Sequence, residues 1–156
     1  MTRDVWLIVL GSILAFLGGV VAFFVQWFWN RKVQRAIVSD FLKELLRAFD
    51  RVCPRIFETF EKSGILWNDL LTQISNDLAL YERNREHSIV LKDLSLRAEL
   101  WDWFSRLRTV ISMSVGLNAL ISNNRNTQWA HGQIKEQVEA LKELRVEAQR
   151  LLQKLS

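Results

Sequence analysis

Helix breakers are scarce in this sequence. Its 156 residues include one proline, Pro54, and beyond residue 25 the only glycines are Gly64, Gly116 and Gly132. No segment alternates apolar and polar residues over the length of a strand, which excludes a sheet as the organising element. A single cysteine, Cys53, excludes an internal disulfide and reads as a buried apolar thiol. Neither His87 nor His131 has a second histidine or a cysteine at ligand spacing, so no metal site is expected. There is no phosphate-cradling glycine loop, no GxSxG and no paired-carboxylate constellation. The chain therefore reads as a non-enzymatic protein without a cofactor. Cations and aromatics do not interleave on one face, and net charge is zero beyond residue 55, so nucleic acid is not an expected partner.

Charge is also missing from the N-terminal part. From Val5 to Val25 the sequence reads VWLIVLGSILAFLGGVVAFFV, 21 residues with Ser12 as the one hydroxyl. As a helix this run is about 31 Å long at ~1.5 Å per residue, close to the ~30 Å of a bilayer's hydrocarbon core. It exceeds the apolar core of a signal peptide, and no small-x-small cleavage pattern comes after it. The expected plan is a short extracytoplasmic tail over 1–4, a transmembrane helix over 5–29 and a cytosolic bundle over 30–156. Trp6 would mark one membrane interface and Trp27 and Trp29 the other, with Arg31, Lys32 and Arg35 immediately after. Cations beside a span stay cytosolic, so the N-terminus is expected outside and the C-terminus in the cytosol, in a bacterial inner membrane.

The whole net charge of +4 falls within 31–55, which holds seven cations and three anions. This placement suggests anionic lipid headgroups as the charge partner. Within the span Gly11, Ala15 and Gly19 recur every fourth residue, and Gly18 and Ala22 extend the small face. Small residues let helix backbones approach, so the span is expected to self-associate or to pair with another membrane protein.

After the span, apolar residues recur in steps of three and four. The first stripe is Val38, Leu42, Leu45, Phe49, Val52, Ile56 and Phe60; the second is Trp67, Leu71, Ile74, Leu78 and Tyr81. The third runs Leu96, Leu100, Trp103, Leu107, Val110, Ser114, Leu117 and Ile121, widened by Phe104 and Ile111. The fourth runs Ile134, Val138, Leu141, Leu144, Ala148, Leu151 and Leu155. These stripes predict an all-α fold: a single transmembrane helix followed by an up-down-up-down four-helix bundle, with helices near 31–63, 65–84, 92–122 and 127–155. Gly64 reads as the residue just past a helix end, Asp93 and Asn126 or Thr127 as caps, and Pro54 as a kink or break. In this topology the 84–92 connection and the C-terminus share one end, which would gather Arg83, Arg85, Lys92, Arg150 and Lys154 there.

Two further features are candidate partner-binding sites. Lys43, Arg47, Arg51 and Arg55 form a basic stripe that could meet a phosphate or an acidic partner, or stand as a solvated face paired with Glu44, Asp50 or Glu58. Trp101, in the stretch WDWF, should sit beside the core stripe, where it plugs a neighbouring helix or faces a partner. The function these features suggest is a membrane-anchored interaction, scaffold or regulatory protein at the cytosolic face. Two other classes are open: a membrane-perturbing effector of the toxin, lysis or defence type acting through oligomerised spans, and an accessory subunit of a larger membrane complex.

Overall fold

The computed structural model describes the backbone of residues 2–123 and 127–155, and the side chains of 18–89, 91–123 and 127–155. Among the described residues there are four α-helices and no strand: α1 Thr2–Ser63, α2 Asn68–Asn84, α3 Leu94–Ser122 and α4 Thr127–Leu155, with a 3₁₀ turn Arg85–Val90 between α2 and α3. Contacts divide the chain into two units, Met1–Ile37 and Val38–Ser156.

In the second unit the helices form a bundle. Cross-helix pairs step in opposite directions along neighbouring helices. Between α1 and α4 the pairs are Ser39 with Leu155 and Asp50 with Arg145. Between α3 and α4 they are Glu99 with Lys154 and Arg106 with Glu147. Between α2 and α3 they are Tyr81 with Phe104 and Asn68 with Asn118. Each of these neighbours is therefore antiparallel, as short connections favour.

The core arises from the helical period. All residues of the α4 stripe are buried, as are those of α3 except Ile121 and those of α1 except Phe60, which are half-buried. Leu46 and Cys53 join the α1 face, and Ala130 begins that of α4. Trp103 is the largest fully buried side chain. It meets Phe49 of α1 edge to face at 5.1 Å and donates from Nε1 to the Leu144 carbonyl at 2.8 Å. Tyr81 stacks on Phe104 with ring centroids 3.6 Å apart. Ser114, Asn118 and Gln137 are polar yet buried. The Ser114 hydroxyl is satisfied within its own helix by the Val110 carbonyl, and the Asn118 amide donates to the Leu66 carbonyl and to Asn68 Oδ1.

The local signals act as their chemistry requires. Gly64 adopts φ +69, and its N–H donates to the Phe60 carbonyl at 2.8 Å, closing the end of α1. Asp93 caps α3, its carboxylate accepting from the Ser95 and Leu96 N–H groups at 2.9 and 3.1 Å. Of the two cap candidates for α4, Asn126 lies outside the described residues and Thr127 is the first residue of the helix. Pro54 does not end α1, which continues as helix through it.

Two expectations need correction. The second helix begins at Asn68 rather than 65, and Trp67 is not a core residue: it is 55% exposed in extended backbone, while its neighbour Leu66 fills the core position. The transmembrane helix is not supported by the described residues, among which no helix is long and apolar enough to cross a membrane. The side chains of 5–17, most of the expected span, lie outside them.

Candidate functional site

Three surfaces carry the side chains singled out by the sequence. The first is in the N-terminal unit. Val21, Phe23, Phe24, Val25, Phe28 and Trp29 are all exposed on α1, and they fall on every side of the helix because they are nearly consecutive. Trp27 is also exposed, and the Arg31 guanidinium lies over its ring at 4.1 Å. Lys32 is exposed and Arg35 half-buried. Gly18 and Gly19 have open space where a Cβ would stand, and Ala22 is exposed. The side chains of Trp6, Gly11 and Ala15 lie outside the described residues.

The second surface is the basic stripe on α1. Glu44 divides it, accepting from Arg51 at 2.6 Å and lying 3.9 Å from Arg47. Lys43 turns back to Asp40 at 3.5 Å. Arg55 is exposed, with no ion pair recorded among the described residues. Two expected partners are engaged elsewhere: Asp50 accepts from Arg145 and Gln149 of α4, and Glu58 holds Lys62. Asp77 of α2, whose carboxyl is pushed up by burial, feels Arg51 as the opposing charge. Much of the stripe is thus neutralised within the chain, and the structure does not converge Lys43, Arg47, Arg51 and Arg55 on a concave site.

The third surface is the connection from α2 to α3. Trp101 does not project toward solvent as a free anchor. Its Nε1 donates to Ser88 Oγ at 3.0 Å, and the Ser88 hydroxyl donates to the Arg85 carbonyl at 2.6 Å. Arg85 and Arg97 lie over the indole at 4.8 and 5.8 Å, and an Arg97 N–H reaches the Ile89 carbonyl at 3.3 Å. The 3₁₀ turn is therefore clamped to α3. Arg150 and Lys154, gathered at this end as expected, both pair with Glu99, whose carboxyl is held below its ordinary value first by the Lys154 hydrogen bond.

The periodic stripes do not mark Trp129, which is 58% exposed at the start of α4. With Trp67 it gives the opposite end of the bundle two solvent-facing indoles. The signal available in the sequence was position: each tryptophan stands just beyond a polar turn, Ser63-Gly64 or Asn123–Asn126, where the helical period has been reset. Among the described residues no group of three or more His, Cys, Asp and Glu could hold a metal ion. Cys53 is buried, and burial pushes its thiol up to about 12, so it is neither a nucleophile nor a soft ligand at neutral pH. No family model, no curated protein and no solved structure matches the chain.

Proposed function

We propose that the chain is a non-enzymatic, single-span membrane protein whose helical bundle tethers or regulates a partner at the cytosolic face. The observation that carries this reading is the belt of exposed apolar side chains from Val21 to Trp29, ended by Arg31 over Trp27. Each large apolar side chain kept in water forgoes roughly 1.5–3 kcal/mol of burial, so seven together strongly favour an apolar surrounding. The uncharged run Val5–Val25 continues this character for the length of a bilayer core. The basic excess in 31–55 favours the cytosolic side for the bundle, and anionic headgroups as its neighbours. Gly11, Ala15, Gly18, Gly19 and Ala22 supply a small face for pairing with a second copy or another span. Anchoring confines the bundle to two dimensions and raises its effective concentration toward partners in the same membrane. Trp67 and Trp129 are the bundle's best-suited contacts for such a partner, because large exposed indoles are enriched among interface anchors.

Membrane fractionation tests the reading. Protein that sediments with membranes, resists alkaline carbonate and loses its bundle to protease only after right-side-out vesicles are opened fits it. Protein recovered in the detergent-free supernatant after ultracentrifugation overturns it.

A further inference from the structure

We propose that the bundle end built from the 3₁₀ turn and the start of α3 rests on an anionic bilayer surface, with Ile89 and Leu94 as apolar contacts and Arg83, Arg85 and Lys92 as headgroup contacts. The inference rests on the anchored reading above and adds a second, peripheral membrane contact within the bundle itself.

Ile89 is 60% exposed and Leu94 65% exposed, although Leu91 between them packs on the core. Two large aliphatics held outward by a short connection would ordinarily turn inward or give way to polar residues. Here the backbone beneath them is fixed. Ser88 is buried and bonded to Trp101, Arg97 holds the Ile89 carbonyl, and Asp93 caps the helix that Leu94 begins. The two side chains are thus presented on a preorganised support, and little freedom remains to be lost on contact.

Charge distribution favours a lipid surface as the occupant. The acids of this end are mostly committed: Glu82 to Arg108, Asp93 to the α3 cap, and Glu99 to Arg150 and Lys154. Glu86 is the exception, exposed with no recorded pair among the described residues. Arg83, Arg85 and Lys92 are exposed with no carboxylate recorded beside them, and they bracket Ile89 in the chain. Aliphatic contacts flanked by cations without a carboxylate partner, Arg85 resting on the Trp101 indole, fit an interface that is apolar below and anionic above. The connectivity agrees. The Ser39 hydroxyl donates to the Leu155 carbonyl, Lys154 pairs with Glu99, and Arg97 reaches Ile89, so α1 enters the bundle at this same end.

The test uses the full-length chain carrying Ile89→Cys or, as control at the opposite end, Asn123→Cys, each labelled with an environment-sensitive dye. Native Cys53 is buried and escapes labelling. In vesicles of phosphatidylcholine and phosphatidylglycerol with brominated acyl chains, the dye at 89 is expected to be quenched severalfold more than at 123. The difference should shrink without phosphatidylglycerol and with Arg83→Glu plus Lys92→Glu. Equal quenching at both positions, or quenching indifferent to lipid charge and to the double substitution, overturns the inference. A flotation step separates the two claims: protein that fails to float sinks the anchor, whereas protein that floats with an unquenched label at 89 sinks this contact alone.

Discussion

Arg145 Nε donates to Asp50 Oδ1 at 2.6 Å, joining α4 to α1 between residues 95 apart in the chain. The same carboxylate oxygen accepts from Gln149 one turn on. The pair removes an acid from the basic stripe of α1 and fixes the level at which α4 lies along it. Both side chains are about one-third exposed, so the ion pair is screened and its contribution modest. Asp50→Ala is expected to lower bundle stability by about 1 kcal/mol, read from thermal unfolding in mild detergent. A loss several times larger would mean that the pair is shielded from solvent more than its exposure indicates.

Trp103 is the residue on which three helices depend. Trp103→Ala removes its packing against Phe49 and Phe104 together with the bond to Leu144. It should cost about 3–5 kcal/mol, a large fraction of the roughly 5–15 kcal/mol that holds an ordinary domain folded. Trp103→Phe keeps a ring in place and gives up the N–H, so its cost is expected near 1–2 kcal/mol, mostly from lost volume and hydrogen bonding. Denaturant midpoints of the two variants should rank in that order.

Stability should decline in alkali. Burial pushes the Cys53 thiol from 9.0 and the Tyr81 hydroxyl from 10.0 to about 12 each; Asp50 reinforces the rise at Cys53 and Arg145 opposes it. The unfolded chain releases these protons before the folded one does. The folded state then binds more protons, and its stability falls as pH rises. The stability curve should be flat in these two groups below about pH 9 and fall between about pH 9 and 12. Cys53→Ala should flatten part of that limb. A thiol that reacts with maleimide at neutral pH as fast in the folded as in the unfolded chain would contradict the burial.

Gly64 stands at φ +69 with open space around the position of a missing Cβ. Gly64→Ala therefore meets no steric neighbour, and its cost is conformational, about 1–2 kcal/mol. Gly116→Ala, in the interior of α3 and also facing open space, should instead be neutral or stabilising, up to about 1 kcal/mol. The opposite signs are read from paired thermal melts.

Gly19 has no neighbour within 4 Å of an added Cβ, so a side chain there disturbs nothing described in this chain. Ala15→Leu with Gly19→Leu should leave the bundle's stability unchanged while weakening association between spans in a membrane two-hybrid assay. Unchanged association would show that the small face is not where spans meet.

The α1, α3 and α4 faces were legible because an amphipathic helix repeats its burial every 3.6 residues, and Leu42, Leu107 and Leu141 stand on that repeat. The repeat misled at Trp67 because it was extended backward from Leu71 past the start of α2 at Asn68, into extended backbone. Outside the helix the 3.6-residue phase no longer applies, and Leu66 rather than Trp67 met the core. Asn118 and Gln137 were passed over because a hydropathy stripe sees only apolar members, although Asn118 ties α3 to the α1–α2 connection. The role of Trp101 could not be read from spacing alone: its partner, Ser88, lies 13 residues earlier in a loop whose path the sequence leaves open.

The Ser39–Leu155 contact has a practical corollary for anyone attaching reporters to this chain. Four passes return the polypeptide to the level at which it entered, so a protein fused behind Leu155 emerges beside Ser39, next to Ile89 and Leu94. A bulky C-terminal tag is expected to interfere with the membrane contact proposed for that end, while a small epitope inserted near Gly64 would leave it undisturbed.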